Sequence, residues 1–583
     1  MKKSFIAIFF LFQFFTIIAQ TLTEEVVIDR EITPVVRQVS RPSWVSPTLL
    51  TPSVQTKPLS FNEFFRTAEI NRTLTPLEPV EWADSVMRSP YRGYASLGYF
   101  PVYNLGAAAG YRFLVTEKNN AGLKFAYDGG KWNGFKGSEG SNVQHNIILG
   151  ADATMTFTPG VLKAAFDYRY SSTDMSHYTG YYDRGTQALN SVDFRVKWLS
   201  KTSGTLKWDV GANFEYGGFT KSKTDRLGRF IANASQRLDP AKDIVLGLNT
   251  NLSYPLKEKS GVSLAVDLKF RHVSAFNRLV PEMAYLDYPD RPYGFAVCEE
   301  HGSTTMAVIS LAPAYYFQRE ALRGHVGVNV DFNAGGLQHK VRIAPEVNLQ
   351  WRPDSKFAVA LRATGGEVLN SNSELWKRDP WMTGVFSAER SHVNADVDLS
   401  LTFGSYKGFH AVLHGGYTSV SDWACPVLLQ DVNTWGQCDN LNGWNFGVEL
   451  GYSWKKMVDL VGHFEGATPS KYYRWQDNAK WAFDVSAKIR PIKKLQVSVG
   501  YAGRLDRSGY ILESVPQGNK AVFASSQVSL GNTSNLFVGG EYEFTPSLSF
   551  FIKAENLLNR HWLLTTNVRA QGIHGLVGAQ YKF

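Results

Sequence analysis

Cysteine is nearly absent, with three residues in 583. So few thiols exclude a fold built on disulfides. Long apolar runs are missing as well. Outside the N-terminus no uncharged apolar stretch reaches roughly 18 residues, which excludes a helical membrane protein. Charged residues are sparse at 19 %, below the usual quarter. No dense Lys/Arg block and no nucleic-acid motif occurs, so nucleic acid is not an expected partner. The patterns GxSxG, HExxH and Walker A are all missing. No catalytic, cofactor or metal residue is therefore assigned, and the expected protein is not an enzyme. The net charge of +9 admits attraction to anionic lipid or ligand, or a mildly basic surface and nothing more.

Aromatic residues and glycine are abundant. Aromatics reach 14 % and glycine numbers 50, and a chain so aromatic is not disordered. Rich apolar content without apolar blocks implies alternation. A transmembrane β-barrel distributes its lipid-facing residues in that way.

Residues 1–20 read MKKSFIAIFFLFQFFTIIAQ. Lys2 and Lys3 precede an apolar stretch from Phe5 to Ile18, and Ala19 supplies a small residue for cleavage. This is a secretory signal peptide, removed from the mature chain. Residues 21–90 hold eight of the 24 prolines. Proline lacks a backbone donor and favours extended, unpaired chain. This stretch is expected to be an extended periplasmic arm, with at most a short helix from Phe61 to Ile70.

From Tyr91 the pattern is strict alternation. Trp444, Phe446, Val448, Leu450, Tyr452 and Trp454 share one face; Asn445, Gly447, Glu449, Gly451 and Ser453 share the other. That is period two, a strand with one greasy side. The same holds for Val393–Phe403, Trp481–Ile489 and Leu495–Tyr501. Aromatics at the ends of the apolar face match interfacial girdles. Connections alternate between short (158–161, 353–356, 405–408, 491–494, 545–547) and long (219–239, 276–302, 367–390, 421–440, 505–533). Short periplasmic turns and long external loops produce that asymmetry. The chain ends on GLVGAQYKF, with Tyr581 and Phe583 on the apolar face. Such a terminal strand matches the signal read by the outer-membrane assembly machinery. Residues 91–583 are thus expected to form an all-β, antiparallel transmembrane barrel of about 22 strands.

The stretch FVGGEYEFTPSLSFFIKAENLLNRHW, residues 537–562, extends the argument. It resembles the closing hairpin of TonB-dependent outer-membrane receptors. Glu555, Asn556, Leu557, Leu558, Asn559 and Arg560 carry the match, and Trp562 takes an aromatic position. The resemblance covers residues 534–583, and the strand number extends it to the barrel, since 22 strands is the size of those transporters. It implies an outer-membrane location in a Gram-negative cell, with membrane lipid around the barrel. Those receptors carry a plug of more than about a hundred residues. No plug-like run is recognisable in the proline-rich residues 21–90. Glu24, Glu25, Val26, Val27 and Ile28 resemble the short box that pairs with TonB by strand addition; an ordinary β-prone stretch reads the same way.

Further chemistry is local. Cys425 and Cys438 fall in one expected external loop, where an oxidising environment permits a disulfide. Cys298 is an alternative partner for either. His410 and His414 face the lumen, as do His463 and Glu465 two strands later. They fit a metal or proton site, and equally the polar lining that any large barrel needs. Glu541, Glu543, Lys553 and Glu555 form an expected charge network on the wall. Aromatic and basic residues in the long loops, Trp376, Lys377, Arg378 and Trp381 among them, suit a binding surface or a loop that folds over the mouth. The primary expectation is a binding or scaffold subunit of an outer-membrane assembly that grips a periplasmic or outer-membrane partner through residues 21–90. The alternative is a transporter or TonB-linked receptor for nutrient uptake. A lumen of this width would leak, so an occluding element is expected.

Overall fold

A computed structural model describes residues 91–583, with breaks at 102–103, 117, 134–140, 176–184, 202–205, 221–239, 277–278, 283–293, 298–300, 337–340, 383, 385–386, 406–407, 430–431, 456, 470–477, 518–519 and 566–567. The expected signal peptide (residues 1–20), the expected periplasmic arm (21–90) and the TonB-box-like residues 24–28 lie outside the described residues.

The first nine strands are β1 (Gly93–Phe100), β2 (Asn104–Val115), β3 (Asn119–Asn133), β4 (Ser141–Thr156), β5 (Gly160–Met175), β6 (Gly185–Ser200), β7 (Lys207–Phe219), β8 (Lys242–Lys257) and β9 (Ser260–Phe276). Two short strands, β10 (Leu279–Glu282) and β11 (Gly294–Val297), follow in one connection. Then come β12 (His301–Arg319), β13 (Leu322–Gly335), β14 (Val341–Trp351), β15 (Phe357–Leu369), helix α1 (Asn372–Arg378), β16 (Arg390–Gly404), β17 (Phe409–Leu429), β18 (Val432–Trp454), β19 (Val458–Pro469), β20 (Asn478–Ile492) and β21 (Leu495–Gln517). The chain closes with β22 (Lys520–Ser529), β23 (Thr533–Glu543), β24 (Leu548–Glu555), β25 (Leu563–Thr565), β26 (Val568–Arg569) and β27 (His574–Lys582).

Twenty-two of these strands form one closed antiparallel barrel. They are β1–β9, β12–β21, β23, β24 and β27. The seam pairs β1 with β27, with Leu97 opposite Ala579. Closure removes the edge that an open sheet would expose to lipid. At the seam the Phe583 amide donates to Gly93 O at 2.9 Å, and Phe583 O accepts from the Arg92 and Gly93 amides at 2.7 Å. Phe583 stacks with Tyr581 and Tyr111 on the outward face. The two proposed assembly-signal residues thus sit where the last strand meets the first.

The alternation of the sequence becomes inside and outside. Trp444 is 65 % exposed, and Phe446, Leu450, Tyr452 and Trp454 stand outward beside it. Intervening positions such as Asn445, Glu541, Lys553 and Glu555 line the lumen. Glu555 accepts from Asn535 Nδ2 at 3.3 Å.

At the end where β1 begins and β27 ends, every connection between wall strands is two to six residues long. Two of the expected long loops are not loops. Residues 421–440 continue β17 and β18 as a paired hairpin, and residues 505–533 continue β21 into β22. Backbone polar groups that leave the barrel still need partners, and pairing onward supplies them. These projecting hairpins join each other: β11 pairs with β22, β10 meets β18, and β17 meets β21. Cys425 lies opposite Gly436 and Cys438 opposite Trp423 in the hairpin register.

The stretch ENLLN is a structural device. Asn556 and Asn559 adopt positive φ, 50° and 48°, a region Asn tolerates better than most residues. Asn556 is fully buried. Its Nδ2 donates to Arg560 O and Gln571 O at 2.8 Å, and its Oδ1 accepts from the Arg560 amide at 3.0 Å. One side chain thus folds the last external connection onto itself.

Candidate functional site

The connection from β15 to β16, residues 370–389, turns inward and crosses the external mouth of the lumen. Its origin is local. The β15–β16 register shifts between Thr364 and Gly366, and the β16–β17 register shifts between Val393 and Ala395. Bulges bend and twist the strand that carries them. Gly366 has φ +135°, and a Cβ there would collide with Asn329 Nδ2. Only glycine fits this bend.

Both feet of the crossing segment are pinned by buried charge. Glu367 accepts from Asn333 Nδ2 at 2.8 Å and lies 3.2 Å from His392 Nδ1. Arg342 approaches Glu367 at 3.6 Å and pairs with Asp422. The Glu367 amide donates to Asp331 at 3.0 Å.

Between its feet the segment forms α1. Ser371 caps it by accepting from the Glu374 amide, and Lys377 and Arg378 fill the last turn. Both features suit the helix ends. Leu375, Met382 and Ala388 pack with Ala424 and Trp435 on the near wall. There Arg378 lies over the rings of Trp423 and Trp435, at 4.5 and 5.0 Å, and donates to Ala424 O at 2.9 Å. Desolvation there lowers the Arg378 guanidinium to about 10, still charged at neutral pH.

The far wall holds the segment equally well. Ser371 and Ser373 both donate to Glu215 on β7. The Asn372 amide donates to Asp243 Oδ2 on β8 at 2.8 Å. Arg271 on β9 pairs with the same oxygen at 2.9 Å, and both side chains are fully buried. The remaining nitrogens of Arg271 donate to Ala388 O at 2.7 Å, Glu389 O at 3.2 Å and Ser387 Oγ at 3.0 Å. Trp376 Nε1 donates to Ser171 Oγ on β5 at 2.7 Å, and the indole packs edge-on to Phe219. Trp381 meets Trp132 on β3 edge-on, 5.6 Å between ring centres. In the ring of 22 strands, β3 lies ten positions from β15, nearly a diameter away. The segment therefore spans the mouth from wall to wall.

Sequence reasoning placed Trp376, Lys377, Arg378 and Trp381 in a loop suited to a binding surface or to folding over the mouth. The structure takes the second course: Trp376 and Trp381 are buried against opposite wall strands. No local signal marks this, because the segment's composition matches that of an exposed loop.

Below the segment the lumen holds a cavity of about 2230 Å³. Its lining is dense in both charges, with Lys124, Arg169, Asp267, Lys269, Arg362 and Asp396 among it. Ion pairs between strands tie that lining together: Lys124 on β3 reaches over Gly150 of β4 to Asp167 on β5 at 2.6 Å, and Arg504 pairs with Asp484 on the neighbouring strand at 3.2 Å. His463 and Glu465 also face this space. His414 on β17 reaches them across β18, and its ring stacks on His463 with 6.2 Å between centres. His410 is not part of that group; it pairs with Glu449 at 3.3 Å.

No family model and no curated protein matches the sequence. Solved structures do. The apoprotein form of the FrpB iron transporter from Neisseria meningitidis aligns with TM-score 0.58 and 10 % identity, over 85 % of this chain and 81 % of that one. FpvA of Pseudomonas aeruginosa, solved with a heterologous pyoverdine and iron, aligns with TM-score 0.57 and 10 % identity, over 85 % and 72 %. A mutant of the ferric enterobactin receptor PfeA from Pseudomonas aeruginosa gives TM-score 0.57 and 10 % identity, over 84 % and 80 %. The chain has the 22-strand barrel fold of TonB-dependent outer-membrane receptors.

Proposed function

We propose that this outer-membrane barrel takes up a nutrient solute, with residues 370–389 as the gate at its external mouth. One observation carries the reading: a wide, charge-lined lumen is crossed by a segment docked on both walls. A barrel that served only as a scaffold would need neither a hydrated, charged interior nor a dedicated closure. The structural neighbours, an iron transporter and siderophore receptors, support transport over the scaffold expectation. Residues 21–90, on which the scaffold expectation rested, lie outside the described residues. Glu24, Glu25, Val26, Val27 and Ile28 supply the proposed contact with TonB, by strand addition.

The test compares growth of cells lacking the protein, cells carrying it and cells carrying it without residues 21–30. Metals, metal chelates and oligosaccharides are made limiting one at a time. The reading expects one nutrient on which only the intact protein restores growth. Equal growth of all three strains on every nutrient rejects transport. Full growth after the deletion keeps transport and rejects coupling through TonB.

A further inference from the structure

We propose that His414, His463 and Glu465 form a binding site for a divalent first-row transition ion on the luminal wall. Their ligand atoms all lie within 4.8 Å of one another. His463 Nε2 and Glu465 Oε1 are 3.3 Å apart. Bonds of about 2.0–2.1 Å in a tetrahedral site place neighbouring donors roughly 3.3 Å apart, so this edge is already at coordination spacing.

The backbone register builds the site. His414, Gly447 and Glu465 stand opposite one another in a row across β17, β18 and β19. Strands lie about 4.8 Å apart, so side chains on β17 and β19 normally have a third side chain between them. Here the middle residue is glycine, and a Cβ at Gly447 would collide with His414 Nε2. The imidazole lies over the glycine and reaches the His463 ring on the next strand but one.

Carboxylates stand behind both rings. Asp398 Oδ1 is 3.9 Å from His414 Nδ1, and Asp484 Oδ2 is 4.0 Å from His463 Nδ1. Arg504 holds Asp484 at 3.2 Å from another direction. A carboxylate on the Nδ1 side of each ring leaves Nε2 as the donor, and carboxylates stand behind histidine ligands in this way generally. Imidazole with one carboxylate suits zinc, copper, nickel or iron over calcium or magnesium. The wall supplies three donors, so a bound ion keeps at least one position open to the lumen for water or for a donor group of a solute. The inference does not depend on the transport reading, because an ion held on the wall need not be the cargo.

Zn²⁺ binding to the full, untagged chain in detergent, followed calorimetrically, tests it. Shifted migration of unheated samples in gels reports that each variant is a folded barrel. The expected result is one ion per chain, weakened at least about tenfold in His414→Ala and in His463→Ala. His410→Ala, altered on the same wall outside the triad, should bind as the parent does. Gly447→Val should lose the site with all three donors still present. Asp398→Asn should weaken binding by roughly 10- to 100-fold. No Zn²⁺ binding by the parent overturns the proposal. So does binding unchanged in the His414→Ala/His463→Ala double variant, or an equal loss in His410→Ala.

Discussion

Arg271 is the position where a single change should open the barrel without breaking it. Its guanidinium makes four buried contacts. One goes to Asp243 and three to the returning limb of the crossing segment, at Ser387, Ala388 and Glu389. Asp243 in turn holds the Asn372 amide at 2.8 Å, so one ion pair clasps both limbs. Truncation in Arg271→Ala leaves Asp243 buried and unpaired, which costs about 3–5 kcal/mol. The barrel hydrogen bonds of β8 and β9 are backbone bonds and persist, so the cost falls on the docked segment. At about 1.4 kcal/mol per tenfold, the balance between docked and released states moves by roughly two to three and a half orders of magnitude. In planar bilayers the parent protein should show low conductance with rare openings. Arg271→Ala should raise the open fraction at least about tenfold. Removal of residues 372–388 behind a short Gly-Ser turn should open the pore continuously. Arg352→Ala, in an exposed turn at the opposite end, should change nothing. Large steady conductance of the parent, or parent-like conductance of the deletion, would refute the assignment of this segment as the gate.

Other expectations follow from the same geometry. Trp376→Ala removes the bond to Ser171 and the Phe219 contact. Loss of a buried indole costs about 3–5 kcal/mol, and proteolysis within 370–389 should become measurable in folded protein. Val485 is exposed on the outer face; Val485→Arg should destabilise the refolded barrel by about 2–4 kcal/mol in denaturant titrations in lipid. Ser498 lines the lumen, and Ser498→Arg should cost far less; equal costs would contradict the inside-outside assignment. Asn556→Ala leaves two carbonyls and one amide of the last connection without their partner, at about 1–3 kcal/mol, read as a lower thermal transition of the folded band. Deletion of Phe583 removes the seam contacts to Gly93 and Tyr111 and should slow insertion by the assembly machinery in pulse-chase experiments.

The barrel was legible because its physics is periodic. Lipid outside and water inside impose a two-residue period on every wall strand, and Trp444 to Trp454 display it without help from tertiary contacts. The strand number and the side of each turn follow from the same rule. The crossing segment was not legible in that way. Its burial arises from partners roughly 100 to 200 residues distant, Ser171, Glu215 and Arg271 among them, and nothing within 370–389 names them. The projecting hairpins at 421–440 and 505–533 were misread as loops because they carry no lipid face, so the period that marks a wall strand fades where the membrane ends. The histidine cluster was half legible. Alternation put His414, His463 and Glu465 on the luminal side, but the decisive residue was Gly447, one of 50 glycines, whose role appears only once the register is known.

The crossing segment also orders the events of folding. Helix α1 has seven residues, far too few to be stable alone in water. Its buried polar groups find partners on β5, β7, β8, β9 and the β17–β18 hairpin, which come together only around a closed wall. The segment therefore docks after the barrel shuts. An insertion intermediate with an open seam between β1 and β27 should expose residues 370–389 to protease, and closure should protect them. Cysteine pairs test that order directly. A bifunctional thiol-reactive crosslinker should join Trp132→Cys to Trp381→Cys, whose rings are in contact, only in chains whose seam has already closed, as reported by a disulfide between Leu97→Cys and Ala579→Cys, directly paired across the seam. Crosslinking of the mouth pair before the seam pair would show that the segment organises the wall, and that its anchoring contacts guide assembly instead of following it.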